Sequence, residues 1–239
     1  MQNFLGPVEE SVPTPAVEDY LKAIYKASRG DGAASTSAVA DALGVSAASV
    51  SGMLRRLSER GLIQYERYYG ARLTGDGRAA ALDTIRRHRI LESFLVEVLG
   101  YSWDSVHEEA ERLEHAASEV LVDRMAAALG DPEEDPHGAP IPGTGVEFRE
   151  RAWPALAELG VGERGVVRRV PDESPEALRY LGELELRPGA RVTVIDRAPM
   201  DGPITVRVGD TERVLGRELC GFVRVQRAGA GARGEVEHV

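Results

Sequence analysis

Cysteine is almost absent from this 239-residue chain, with Cys220 the only one. A lone thiol cannot close an intramolecular disulfide, nothing suggests redox chemistry, and its apolar, strand-like neighbourhood predicts a buried, inert side chain. No run of about 18 apolar residues offers a membrane span, and the N-terminus lacks the charged, apolar, small-residue order of a secretory signal. The expectation is a cytoplasmic protein with no membrane partner. An HExxH helix and a nucleophile motif are also missing, so a metalloenzyme, which needs an open coordination position and a general base, ranks below a non-enzymatic binding role.

A net charge of −10 argues at first against a nucleic-acid partner. The distribution qualifies this. Between Ser35 and Thr74, Arg55, Arg56, Arg60, Arg67 and Arg72 outnumber Asp41, Glu59 and Glu66, whereas acids crowd the stretch from Glu92 to Asp135. A weakly basic module is joined to an acidic one, and bound cations would reduce the acidic module's repulsion of DNA.

The first eleven residues carry no period and are expected to be mobile. Thr14 then offers an N-cap with Pro15 at the first helical position, and Val17, Leu21 and Ile24 recur at helical spacing up to Gly30. Two further helices are predicted, about Ser37 to Leu43 before Gly44, and from Ser46 to before Gly61. The run LIQYERYYGARLT reads as a hairpin turning at Tyr69-Gly70. A long helix from Asp76 to Leu99 and another from Ser102 or Asp104 to Leu129 follow, and the Pro- and Gly-rich DPEEDPHGAPIPGTG marks a boundary. After a short helical stretch near Trp153 to Leu159, the runs GVVRRV, ARVTVIDR, PITVRV, ERVLG and GFVRVQ predict a small antiparallel barrel. The last residues read as a disordered tail. The fold expected is mainly α with a small β part: residues 1–75 a winged helix-turn-helix, 76–145 a helical domain, 146–160 a linker, 161–227 the barrel and 228–239 the tail.

In the third helix, SAASVSGMLRRLSERG, Val50, Leu54 and Leu57 form a core stripe, with Ser49, Gly52, Arg56 and Arg60 opposite. Small polar residues at the helix start and guanidiniums further along suit a major groove. Ser46 and Ser49 can bond phosphates or base edges, Met53 can touch a thymine methyl, and Arg67 and Arg72 on the wing can hold backbone phosphate. The alternative is a plain three-helix bundle with a solvated polar face.

His107, Glu111, Glu114 and His115 occupy positions i, i+4, i+7 and i+8 of VHEEAERLEHAASE, within one arc of a helix. His88 and Glu92 form a second i, i+4 pair on the preceding helix, so two antiparallel helices can present ligands to one cation. Oxygen and imidazole donors without thiolate favour Mn2+ or Fe2+ in function, although Zn2+, Co2+, Ni2+ and Cd2+ would bind in a test tube. His137, in the linker, reads as bland. The alternative is an acidic solvated face on a helix-turn-helix regulator with an organic effector.

EDYLKAIY, RRHRILESFL, VHEEAERLEH and GAPIPGTG, at these separations, resemble the diphtheria toxin repressor family of iron- and manganese-dependent repressors over roughly Thr14 to Gln226. The resemblance implies an SH3-like third domain and a homodimer, formed through helices around Leu91 to Val98 and Val106 to Leu121, that reads two-fold symmetric double-stranded operator DNA. It implies repression of metal-uptake genes in the service of metal homeostasis. It also implies a primary metal site of Asp19, Glu111, Glu114 and His115 and an ancillary site of His88, Glu92 and His107, with Glu173 and Glu176 as ligands from the third domain. Iron sensors of the family carry Met and Cys where this chain has Asp19 and Glu111, and manganese sensors carry Asp and Glu, which tilts the expectation toward manganese. Lys22 stands where manganese sensors supply a further glutamate, so two separated sites are expected.

Overall fold

The computed structural model describes residues 13–28, 32–143, 148, 150–172 and 174–228. The expectations for the first eleven residues, for Glu173 and for the tail beyond Ala228 fall outside the described residues. Backbone contacts divide the chain into two units, one ending at Arg86 and the other beginning at Arg87.

The first unit holds α1 (Pro15–Ala27), α2 (Thr36–Leu43), α3 (Ala47–Glu59), a hairpin of β1 (Ile63–Glu66) and β2 (Gly70–Leu73), and the first turns of α4 (Gly75–Glu97). Each short helix begins where a polar side chain replaces a missing backbone partner: Ser35 Oγ accepts from the Ala38 amide and Ser46 Oγ from the Ser49 amide. Helix α2 ends at Gly44 in the left-handed region, as expected. Leu21, Ile24, Val39, Val50, Leu54 and Leu57 fill the core. Fully burying each side chain of this kind contributes about 1.5–3 kcal/mol. The hairpin pairs Ile63 with Leu73 through Glu66 with Gly70, and a bridge from Ala34 to Ala71 ties it to the segment entering α2.

In the second unit the helix expected from Ser102 to Leu129 is two helices, α5 (Val106–Leu113) and α6 (Glu119–Ala128). The reason is local: Ser118 caps α6 by accepting from the Leu121 amide, which leaves Glu114 to Ala117 as the turn between them. The Pro- and Gly-rich segment read as a boundary is ordered from Asp131 to Ile141. Val170 N–H donates to the His137 carbonyl at 3.0 Å, and a Cβ on Gly138 would overlap the Arg168 backbone.

A 3-10 turn (Leu156–Glu158) precedes β3 (Arg164–Arg169), α7 (Pro175–Glu183), β4 (Arg191–Arg197), β5 (Ile204–Val208), β6 (Thr211–Leu215), α8 (Arg217–Phe222) and β7 (Arg224–Arg227). The strands form one antiparallel sheet in the order β6-β5-β4-β3-β7. This is the expected small SH3-like unit, but its edges β6 and β7 do not pair, so the sheet is open and not a closed barrel. Two helices went unread. VPDESPEAL enters α7 behind Ser174, whose Oγ accepts from the Ala177 amide, and Cys220 lies on α8 instead of a strand, with burial raising its thiol to about 11. No single helix among the described residues is long and apolar enough to cross a membrane.

Gly70 has a φ of +97° and a Cβ there would overlap the Ala34 carbonyl oxygen. Gly70→Ala should therefore lower stability by at least about 2 kcal/mol in urea denaturation.

Candidate metal centre and nucleic-acid interface

Helix α4 presents His88 and Glu92 one turn apart, and because every residue from His88 to Ser93 is buried, the polar side chains there must find partners. Glu92 is fully buried. Its Oε1 lies 3.1 Å from His88 Nε2 and 3.0 Å from His107 Nδ1, and the two rings meet edge to face at a centroid distance of 4.8 Å. The fold thus brings together His88, Glu92 and His107, the three residues expected as the ancillary set.

The same His88 reaches the other set. Its Nδ1 is 2.6 Å from Glu114 Oε2 and 3.8 Å from Glu111 Oε1, while His107 Nε2 is 3.7 Å from Glu111 Oε1. His115 Nε2 lies 3.5 Å from Glu114 Oε1. Glu114 caps the C-terminus of α5 and is fully buried, and His115 follows it in the turn. The two expected groups are therefore contiguous, with one ring nitrogen of His88 facing each. Asp19 is half-buried on α1 in the first unit, and Glu176 is exposed on α7.

One cluster was missed. His137, read as bland, is fully buried against Glu92 and Asp135. Its Nε2 donates to the Trp103 carbonyl at 2.7 Å, and its Nδ1 stands 3.7 Å from Glu92 Oε2. Asp135 Oδ1 accepts from the His137 and Ala139 amides at 2.8 and 2.9 Å, which shapes the turn. Its other oxygen lies 3.6 Å from Arg89 Nε, and Arg89 also meets Glu150 at 3.1 Å and donates to the Pro140 carbonyl. The only sequence signal was Asp135 two residues before His137 in a segment without period. Glu92, the decisive partner, is far away in the chain.

Glu92 Oε2, Asp135 Oδ2 and His137 Nδ1 are buried without a hydrogen-bond partner. Ligand atoms of these three residues lie within 4.8 Å of one another, as they do in His88, Glu92 and His107 and in His88, Glu111 and Glu114. Orphaned buried polar atoms each cost about 1–3 kcal/mol, so three that converge fit a bound cation with oxygen and nitrogen donors. Protons fill part of the same need. Burial pushes Glu92 upward, but His88, His107 and His137 outweigh it and hold the carboxyl well below its ordinary value. Burial and the Glu92 charge raise Asp135 to about 6 against the pull of Arg89 and His137. For His137 burial disfavours the charged ring, yet Glu92 and Asp135 raise it to about 9.

In the first unit, Ser46, Ser49, Gly52, Arg56, Arg60, Arg67 and Arg72 are exposed, and Met53 is half-buried against the core. Ser46 and Ser49 hydroxyls also bond each other at 2.9 Å. A recess of about 330 Å³ beside the start of α2 adds residues that the helical wheel did not single out: Ser37 and Ser51 hydroxyls, Arg55 and Tyr65, with Arg67 on its rim. At the wing tip Tyr68 and Tyr69 are exposed, and the Arg67 guanidinium lies over the Tyr68 ring.

Residues 14–71 match the description "Iron dependent repressor, N-terminal DNA binding domain", and residues 74–143 match "Iron dependent repressor, metal binding and dimerisation domain". The chain belongs to the iron-dependent repressor family. Residues 155–227 of this family member match the FeoA domain. It is similar to the iron-dependent repressor IdeR of Mycobacterium tuberculosis, 32% identical over 234 residues that cover 88% of this chain and 96% of that one. It is also similar to the transcriptional regulator MntR of Oceanobacillus iheyensis, 36% identical over 48% of this chain and 77% of that one. Among solved structures, a manganese-dependent transcriptional repressor in complex with manganese is 38% identical, with a TM-score of 0.83, covering 89% of this chain and all of that one. ScaR with bound Zn2+ is 30% identical, with a TM-score of 0.76, covering 89% and 99%. The family is one of metal-dependent, DNA-binding transcriptional regulators and is not enzymatic, so the metalloenzyme and organic-effector alternatives are set aside.

His137 binds its proton more tightly when folded, at about 9, than an ordinary imidazole does at 6.5. The stability it brings to the metal-free protein is present below pH 6.5 and lost as pH rises through 9. With chelator, the thermal midpoint should fall by roughly 5 °C across that window, and His137→Asn should flatten the slope.

Proposed function

We propose that this chain is a repressor that binds two-fold symmetric operator DNA when Mn2+ or Fe2+ is held by the side chains gathered on α4, on α5 and in the turn around His137. The observation that carries this reading is the convergence of Glu92 Oε2, Asp135 Oδ2 and His137 Nδ1, buried and without hydrogen-bond partners. Hard oxygen and imidazole donors suit these two ions, and Zn2+, Co2+, Ni2+ or Cd2+ would substitute in vitro.

Glu92 Oε2, Asp135 and His137 would hold one cation, and His88 and His107 would hold a second with Glu92 Oε1. Glu111, Glu114 and His115 would hold another, and Asp19 completes that set on the strength of the sequence resemblance. Glu173 and Glu176 remain candidate ligands by the same resemblance alone. When bound, a divalent cation supplies the positive charge that relieves repulsion among these carboxylates. Without it, the acids and imidazoles of α4 and α5 must share protons, and the arrangement competent for DNA is only fractionally populated. By linkage, operator DNA should tighten cation binding by the same factor, typically 1–3 kcal/mol.

The reading head would place α3 in the major groove, with Ser46, Ser49, Gly52 and Met53 near base edges and Arg56, Arg60, Arg67 and Arg72 on phosphates. Ser37, Ser51 and Arg55 line a recess suited to a further phosphate. Val98, Leu99, Leu113, Val120 and Leu121 leave apolar surface exposed on the second unit, which supports a homodimer through these helices. The division into a winged head, a helical metal-binding and dimerisation domain and a C-terminal sheet domain belongs to the same proposal, as do a cytoplasmic location and control of metal-uptake genes.

Fluorescence anisotropy on promoter DNA, at fixed salt with Mn2+, Fe2+ or chelator, tests the reading. Affinity should rise at least about ten-fold with metal, matching about 1.4 kcal/mol of coupling, and metal-independent binding would overturn it. Glu114→Gln and His115→Ala should remove the metal response with circular dichroism unchanged. Arg56→Ala should weaken operator binding while metal affinity measured by calorimetry stays constant.

A further inference from the structure

The loop between α4 and α5 puts Trp103 in an unusual position. Its side chain belongs to the apolar core of the C-terminal sheet domain, beside Leu178, Leu181 and Leu186. Its backbone carbonyl, in contrast, is the acceptor for His137 Nε2 at 2.7 Å. The Trp103 ring also stacks on the His137 ring at 5.9 Å, and the Arg187 guanidinium lies 4.5 Å from the indole. Helix α7 carries Gly182 against the indole, where a Cβ would come within 3.3 Å of Cζ2 and 3.4 Å of Nε1. Glycine at 182 gives the indole room, since even a methyl there would press on it by a few tenths of an ångström and a longer side chain would displace it.

This arrangement decides which imidazole nitrogen is available. A hydrogen on Nε2 is retained by the Trp103 carbonyl, so Nδ1, facing Glu92 Oε2 and Asp135 Oδ2, is the atom that offers a lone pair to a cation. Groups that orient a ligating histidine in this way set its tautomer and basicity, and losing them typically costs 10–100-fold in metal affinity. We infer that Trp103 is a positioning residue for the buried Glu92–Asp135–His137 group, and that the C-terminal sheet domain sets the cation affinity of that group by gripping the Trp103 ring. The inference rests on the reading of this group as a cation site. It gives the C-terminal domain a role that needs no ligand of its own. Reciprocity follows: whatever tightens the grip on the indole tightens cation binding, and a bound cation stabilises the docking of the indole by the same factor.

The test is calorimetric titration of the full chain with Mn2+, together with tryptophan emission in a Trp153→Phe background, where Trp103 is the only indole. His137→Ala comes first. It should reduce the number of ions bound, and if number and affinity are both unchanged, the group is no cation site and the functional reading falls with it. Given that loss, Gly182→Leu, a good helix former that fills the room beside the indole, should weaken Mn2+ at this group by about ten-fold or more and leave the Glu111–Glu114–His115 site, which does not use Glu92, unchanged. Trp103→Ala should do the same. Combining either with His137→Ala should add no further change in metal affinity, which a general loss of stability would not reproduce. Mn2+ should alter Trp103 emission in the otherwise unchanged protein and not in His137→Ala. If Trp103→Ala fails to fold, Gly182→Leu and the emission titration still decide. Unchanged Mn2+ affinity in folded Gly182→Leu, or Trp103 emission indifferent to Mn2+, overturns the inference.

Discussion

A carboxylate stripped of water sits where three imidazoles converge, and much of the second unit is organised around it. Glu92 gives one oxygen to His88 and His107 and aims the other at His137. Burying a lone carboxylate costs several kcal/mol, so α4, α5 and the turn after α6 each contribute a residue that offsets the cost. Removing any one weakens the pairing of a charge held in a place that water does not reach. The apolar packing of Ile90 with Val122, Ala126 and Ile141 keeps those elements close enough for the sharing to persist. Electrostatics supplies the reason for the arrangement, and packing supplies its precision.

How much of this was legible depended on distance along the chain. The reading head follows from local rules: Ser35 and Ser46 as caps, Gly44 as a stop, Val50, Leu54 and Leu57 as a stripe, and Gly70 in a hairpin. His88 with Glu92, and His107 with Glu111, were legible because i, i+4 pairs share a helix face. His137 was not, because its partners Glu92 and Trp103 come from elements far away in sequence and its own segment has no period. The break between α5 and α6 was hidden for a different reason: the apolar pattern continues across it, and only the cap at Ser118 interrupts the backbone. Helix α7 is hard to read because VPDESPEAL carries two prolines, Pro171 and Pro175, which suggest a turn unless Pro175 is recognised as a first helical residue behind Ser174.

The C-terminal sheet shows how a small domain is tied to a larger task. Its strands carry ordinary alternation, with Val192, Val194, Val206 and Val208 inward, and its open edges carry charges such as Arg213 and Glu212 that discourage further pairing. Its bond to the helices includes an indole and the His137 carbonyl on Val170, both contributed by segments adjoining the candidate ligands, beside the ion pairs Arg89–Glu150–Arg169 and Asp104–Arg179. Any strain in the cation group therefore reaches the sheet within a few residues.

The short helix α5 carries acids toward both of its ends. Glu108 and Glu109 stand in the first turn, where the macrodipole welcomes negative charge. Glu111 and Glu114 stand toward the last turn, where carbonyl oxygens already present about half a negative charge and further acids are unfavourable by about 0.3–1 kcal/mol each. The one base of the last turn, Arg112, turns back to Glu109 at 2.8 Å and to Glu108 at 3.7 Å. Its charge is spent on the first-turn acids, so a positive ion arriving at Glu114 also meets the carbonyl end of the helix, whose pull adds to that of the carboxylates.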